Sequence, residues 1–276
     1  MPSFFTGFEL AARLNAETRR RVAALARPPR CVALLDAANA GMAAYARRQQ
    51  AFAGEAGIVL APEPYPANPE AVMRRLAELA GDEEVDAVVT LYPLPAGVGA
   101  LEAALALGAG KDVDGLHPEN AGALALGAPA RPPATAKACR LIAEELAGPL
   151  KGKEIVLVGA SRIVGRPLAS LLLDAEATVT ITHAATRDLA AHTREADIVI
   201  TAAGVPGLIG AGHLRDGATV LDVSINRGPH GLVGDVDVAS LEGRSVTVTH
   251  VPDGVGPVTT ACLLANIAEA AAGRAL

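Results

Sequence analysis

The sequence predicts an α/β chain of two lobes, the second carrying a doubly wound parallel sheet. Two observations predict it. Short apolar, β-branched runs of strand length recur along the chain, separated by stretches of helical periodicity. Residues 154–183, EIVLVGASRIVGRPLASLLLDAEATVTITH, also read as one complete βαβ unit. In that unit 155–158 is a buried strand, 163–173 a helix, and 178–181 a second strand. Small residues, Gly159, Ala160 and Ser161, occupy the first turn, with Gly165 on the helix. Such a turn admits close approach of an anionic ligand to the free N–H groups of a helix start. The spacing is not a strict GxGxxG, so an ordinary tight βα turn is the competing reading.

Composition narrows the function classes. A chain of 276 residues, 51% of them hydrophobic, can bury two cores or one large one. Aromatics make up 3%, tryptophan is absent and the net charge is −6, so neither a base-stacking platform nor a basic footprint for nucleic acid is present. Cys31, Cys139 and Cys262 are widely spaced in apolar contexts, as expected of buried thiols in a reducing compartment and not of a disulfide framework or a metal set. The chain shows no cleavable signal pattern and its apolar stretches are too short for a membrane span. The expectation is a soluble cytoplasmic protein.

In chain order, residues 8–26 read as an amphipathic helix, 31–35 as a strand and 41–56 as a helix on which Tyr45 and Gln49 share a face. A packing role for Tyr45 is the plain alternative. Short strand 58–60 and helix 70–79 lead to strand 85–89, which stops at Leu91-Tyr92-Pro93-Leu94-Pro95. A stiff loop at a strand's carboxyl end is where α/β folds place ligands. Helix 99–107 precedes the charged turn 111–120, KDVDGLHPEN, which either orients a ligand or is a solvated loop. Its acidic residues and His117 lack the spacing of a metal site. Helix 135–146 links to the βαβ unit. Beyond it come helix 187–193, strand 198–202, the turn at Gly204, strands 220–223 and 246–249, and a closing helix 258–271.

In this order the pieces KDVDG with HPEN (111–120), GASRIVGRP (159–167), INRGPHGLVGDVD (225–237) and VPDGVGPVT (251–259) resemble the bifunctional methylenetetrahydrofolate dehydrogenase/methenyltetrahydrofolate cyclohydrolase family over nearly the whole chain. The resemblance implies a folate-binding catalytic lobe over 1–149, a Rossmann-like NAD(P)-binding domain over 150–256, and a final helix, 257–276, returning to the first lobe across a cleft. It implies a homodimer, a folate-type substrate, and NADP or NAD as cofactor. It further implies one-carbon chemistry in two steps. Hydride passes from the methylene bridge to nicotinamide, and water then opens the methenyl cation to 10-formyltetrahydrofolate.

Carried over one residue at a time, the family's tyrosine is Tyr45, but its catalytic lysine position holds Gln49. The glutamine of its QLPLP loop is replaced by Leu91, followed two residues later by Pro93, while the pterin-holding aspartate is kept as Asp114. The PCTP stretch reads Pro133-Ala134-Thr135-Ala136, a partial match. The PVPGGVGP loop becomes 250–257 with His250 and Asp253 new, keeping Pro252, Gly254, Gly256 and Pro257 ahead of Thr259 as substrate-side residues. On the cofactor side the resemblance assigns Gly159, Ala160, Ser161, Ile163, Gly165, Ala184, Gly204 and Ile225. Ala160 and Ala184 stand where the family holds the NADP 2'-phosphate with arginine and serine, leaving Arg162 or Arg187 to compensate.

An amide cannot exchange a proton near neutrality as a buried lysine can, and leucine offers no hydrogen bond. Hydride transfer needs alignment and no protein base. The expected function is therefore methylenetetrahydrofolate dehydrogenase with weak or absent cyclohydrolase activity. Three alternatives stand beside it: a bifunctional enzyme using altered groups such as Tyr45 with His250 or Arg48, a dehydrogenase for another pterin or small carbonyl substrate, and a non-catalytic folate- or nucleotide-binding paralogue.

Overall fold

A computed structural model describes residues 1–228 and 231–273; part of the 225–237 motif and the end of the closing helix segment thus lie outside the described residues. The chain divides into two compact units, one of Met1–Ala12 with Thr135–Thr259, the other of Arg13–Ala134 with Thr260–Leu276. The divisions fall inside helices α1 (Phe8–Ala23) and α9 (Val255–Ala271) and at the start of α6 (Ala134–Ala147).

The first unit is built on six parallel strands. They are β1 (Ser3–Phe5), β5 (Glu154–Val158), β6 (Thr178–Thr182), β7 (Ile198–Thr201), β8 (Thr219–Asp222) and β11 (Thr247–Thr249), in the order β1-β11-β8-β7-β5-β6. The central strands are Val/Ile-rich and buried on both faces, as parallel strands covered by helices must be. Val156, Val158, Val199, Val220 and Val248 from neighbouring strands pack with Ile209 and Leu241 in one core. Helices α7 (Gly165–Asp174) and α8 (Leu189–Thr193) supply crossovers. Because β6 and β7 flank β5 on opposite sides, the loops after β5 and β7 leave the sheet at its switch point.

The second unit holds a three-stranded parallel sheet of β2 (Arg30–Leu35), β3 (Val59–Pro64) and β4 (Ala87–Thr90), in the order β3-β2-β4. Pro62 and Pro64 are tolerated because β3 is an edge strand, where a missing N–H costs no ladder bond. Helices α2 (Ala40–Glu55) and α3 (Pro69–Gly81) start on Asn39 and Asn68, whose side chains accept the N–H of Met42 and Ala71. Helix α4 (Ala100–Leu107) completes a core of Val32, Leu34, Val72, Leu76, Val88 and Leu107.

The structure corrects the sequence reading locally. Helix α7 begins at Gly165, two residues after Ile163, because 162–164 form a turn over which the Ser161 hydroxyl accepts the N–H of Val164 at 3.1 Å. The segment 111–120 is not a solvated loop. Asp112 is 3% exposed and pairs with Val88 in an isolated parallel bridge, so the segment borders β4 as a further strand position. It then runs into a helix absent from the sequence reading, α5 (Pro118–Ala125), which His117 caps through its Nδ1. The short β1 and the hairpin of β9 (Asn226–Gly228) and β10 (Gly231–Val233) were also unforeseen.

Candidate active site

At the switch point of the first unit the chain is shaped for close approach. Gly159 has φ +122°, and a side chain there would meet the Ala202 carbonyl at 2.5 Å. Gly165 packs equally tightly on the Gly159 carbonyl. These two glycines bring the loops after β5 and β7 together with backbone exposed, a cradle fitting a pyrophosphate. Ile163, Val205 and Ile225 stand exposed on the loops that follow β5, β7 and β8 respectively, offering apolar faces beside that cradle. Ala160, Ser161, Ala184 and Gly204 line the same carboxyl-end loops. Arg166 Nε donates to the Ala160 carbonyl at 3.2 Å. Arg162 and Arg187 are exposed and make no hydrogen bond or ion pair among the described residues.

What fixes these loops was not singled out in the sequence. Asp235, fully buried, accepts hydrogen bonds from Thr201 Oγ1, the backbone N–H of Ala203, Gly204 and Val205, Ser224 Oγ and Asn226 Nδ2. Burial acts to raise its pKa, but the donors outweigh it and hold the carboxyl below its ordinary range. Asp222 in turn accepts the N–H of Asp235 and Val236 at 2.9 Å each, and burial pushes it up to about 6. The signal was present as GDVD (234–237), but a single charged motif does not reveal six convergent donors.

The 250–254 loop is stitched to the N-terminal segment: His250 N donates to Phe5 O and Gly7 N to Asp253 O, each at 2.8 Å. Gly254 is buried, Pro252, Gly256, Pro257 and Thr259 are partly exposed, and His250 Nδ1 lies 3.5 Å from Asp253 Oδ2.

In the second unit three tyrosines and a thiol surround Asp114. It stands beside Thr90 at the carboxyl end of β4 and accepts the Thr90 backbone N–H. Burial, then the charge of Asp112, push its carboxyl up to about 7. The chain's three tyrosines, Tyr45, Tyr65 and Tyr92, all feel its charge, as does the Cys31 thiol, and burial raises each of them. Tyr45 is 43% exposed, yet its phenol is pushed up to about 12. Gln49 is 1% exposed; its amide hydrogen-bonds the Tyr45 hydroxyl, while its Oε1 is buried without a partner among the described residues. Leu91 is buried; its N–H donates to Leu34 O at 2.9 Å and its carbonyl accepts Tyr65 Oη at 3.0 Å, while Pro93 is exposed.

The Asp114 loop is held from several sides. Gly115 has φ +65°, and a side chain there would collide with the Arg131 carbonyl. Arg131 Nη1 donates to Gly110 O at 2.8 Å and Asp112 O at 3.2 Å, and Asn266 Nδ2 donates to Val113 O and Pro132 O at 2.9 Å. Lys111 caps the end of α3 through the carbonyls of Leu79 and Asp82. Among the described residues no group of three or more His, Cys, Asp or Glu could hold a metal ion, and no helix is long and apolar enough to cross a membrane.

A nucleotide cradle in one unit and a buried carboxyl ringed by tyrosines in the other describe a nicotinamide-dependent enzyme with a separate lobe for its second substrate. Comparison with known proteins sharpens the class. The model of the tetrahydrofolate dehydrogenase/cyclohydrolase catalytic domain matches residues 5–114, and that of the same family's NAD(P)-binding domain matches 133–275. The chain belongs to the tetrahydrofolate dehydrogenase/cyclohydrolase family. It is 43% identical over 272 residues to the bifunctional protein FolD of Bordetella petrii, covering 96% of this chain and 92% of that one. Among solved structures, the bifunctional FolD methylenetetrahydrofolate dehydrogenase/cyclohydrolase of Campylobacter jejuni superposes with a TM-score of 0.91 at 32% identity, covering 99% of both chains. The Trypanosoma brucei enzyme, solved with NADP and an inhibitor, gives 0.89 at 31% identity over 98% of this chain and 97% of that one.

Proposed function

We propose that this chain oxidises 5,10-methylenetetrahydrofolate using NADP and also opens the methenyl product, with Asp114 taking over the proton handling that Gln49 cannot perform. The expectation of weak or absent hydrolysis finds no support in the relatives, which are named bifunctional, and gives way to the reading with altered groups. The observation that carries it is the Asp114 carboxyl, half-buried beside Thr90 and raised to about 7, a proton affinity suited to give and take a proton at neutral pH.

The Gly159–Gly165 cradle would hold the pyrophosphate, with the exposed side chains of Ile163, Val205 and Ile225 beside it, and the nicotinamide would supply the hydride acceptor when bound. Hydride leaves the substrate's one-carbon bridge without a protein base. In the second step water adds to the methenyl carbon and the ionised Asp114 takes one of its protons. The carbinol then collapses: its hydroxyl proton goes to solvent as the formyl C=O forms, the bond to N5 breaks, and N5 receives the proton from Asp114. One water is consumed and one proton is released overall. Tyr45 and Gln49 line this site, Gln49 accepting a substrate N–H or O–H through its free Oε1.

Arg162 and Arg187, exposed and unengaged, favour NADP by meeting its 2'-phosphate in place of the missing arginine and serine. A homodimer fits the exposed apolar side chains Phe4, Leu232, Val233 and Val238, and the buried free thiols fit a cytoplasmic protein. A spectroscopic assay with methylenetetrahydrofolate and each cofactor, followed by direct addition of methenyltetrahydrofolate, tests the function. Both steps proceed in the wild type, and Asp114→Asn slows hydrolysis at least tenfold. Hydrolysis at the buffer rate in the wild type reduces the function to dehydrogenase alone.

A further inference from the structure

Two carboxyl groups stand two residues apart on one buried loop. Asp112 and Asp114 line the same small cavity, about 10 Å3, together with Thr90 and Tyr92. Their surroundings differ sharply. Asp112 Oδ2 accepts the His117 backbone N–H at 2.7 Å and Asn120 Nδ2 at 2.9 Å, and Arg131 grips the Asp112 carbonyl. Asp114 receives a backbone N–H from Thr90. The titratable groups whose charge couples to Asp114 are Cys31 on β2, Tyr45 on α2, Tyr65 after β3, Tyr92 after β4, and Asp112 on its own loop, with Arg48 beside Tyr45 and Arg131 behind Asp112.

Two like charges in one site do not both ionise cheaply. We infer that Asp112 is the positioning residue of this site: it anchors the loop through His117 and Asn120, and its charge makes Asp114 the member of the pair that carries the proton. The inference rests on the reading of Asp114 as the proton-handling group. The tyrosines and Cys31, all raised by burial, stay neutral around the pair and add no cation to release Asp114's proton.

Infrared titration of the protonated carboxyl band tests this without turnover. The Asp114 signal is the part of the wild-type band that disappears in Asp114→Asn. In the wild type it titrates near neutrality. In Asp112→Asn, whose amide oxygen still accepts from His117 and Asn120, its midpoint falls by about one pH unit or more. Asp112→Glu retains the charge and the midpoint. Asn120→Ala, which removes one of the two N–H donors that anchor the Asp112 carboxylate and loosens it beside Asp114, moves the midpoint the same way by less. The matching limb of the pH profile for methenyl hydrolysis follows these shifts, whereas a merely structural role lowers rates without moving it. A midpoint unmoved in both Asp112→Asn and Asn120→Ala overturns the inference, as does a wild-type signal in the ordinary carboxylate range. Should the infrared shifts occur while hydrolysis ignores Asp114→Asn, the inference stands and the proposed role of Asp114 falls.

Discussion

Asp114→Asn separates what the site does for catalysis from what it costs the fold. The native carboxyl is raised from 3.8 to about 7, first by burial and then by Asp112. A raised acid binds its proton more tightly folded than unfolded. Its contribution to stability is therefore complete below about pH 4, declines through the window from 3.8 to about 7, and is gone above it. At about 1.36 kcal/mol per unit the swing is roughly 4 kcal/mol, and residual access of water to the side chain trims it to about 2–4 kcal/mol. Asparagine keeps an oxygen for the Thr90 N–H and never ionises. The variant is therefore expected to match the wild type only below about pH 4, to exceed it already at pH 5 by part of the full swing, and to exceed it at pH 8.5 with a midpoint several degrees higher. Thermal unfolding followed by circular dichroism between pH 4.5 and 8.5 measures the difference directly. Parallel pH dependences for the two proteins would refute the assignment of a neutral-range proton to Asp114.

Three further outcomes follow from the geometry. Asp235→Ala strands the N–H groups of 203–205 and the Ser224 and Asn226 side chains; it should destabilise by about 3 kcal/mol and abolish NADP binding, read by urea unfolding and cofactor titration. Gly159→Ala places a methyl against the Ala202 carbonyl at φ +122°, costing about 1–3 kcal/mol and at least tenfold in cofactor Kd, with folate binding unchanged. Gln49→Leu removes an unpartnered buried oxygen, so stability should stay within about 1 kcal/mol of wild type while KM for the folate rises several-fold in steady-state assays.

The sequence by itself determined the alternation of strands and helices, because parallel strands buried on both faces must be continuous Val/Ile runs and their crossovers must show helical periodicity. It also marked the Gly159–Gly165 turn by residue type and spacing, while the departures at Gln49 and Leu91 became legible only through the family resemblance. Tertiary structure decided the rest. By its charge the loop 111–120 reads either as a ligand-orienting turn or as a solvated one, and pairing with Val88 and the grip of Arg131 and Asn266 bury Asp112 and Val113. β1 is three residues long and exists because β11 offers it a partner 244 residues further along the chain. Asp235 gains its importance from donors on three separate segments, and Asp114 its proton from a neighbour and from burial. Local pattern encodes which backbone shape a segment prefers. The dielectric and the partners around a charged side chain are set by segments distant in sequence, so they become legible only once the chain has folded.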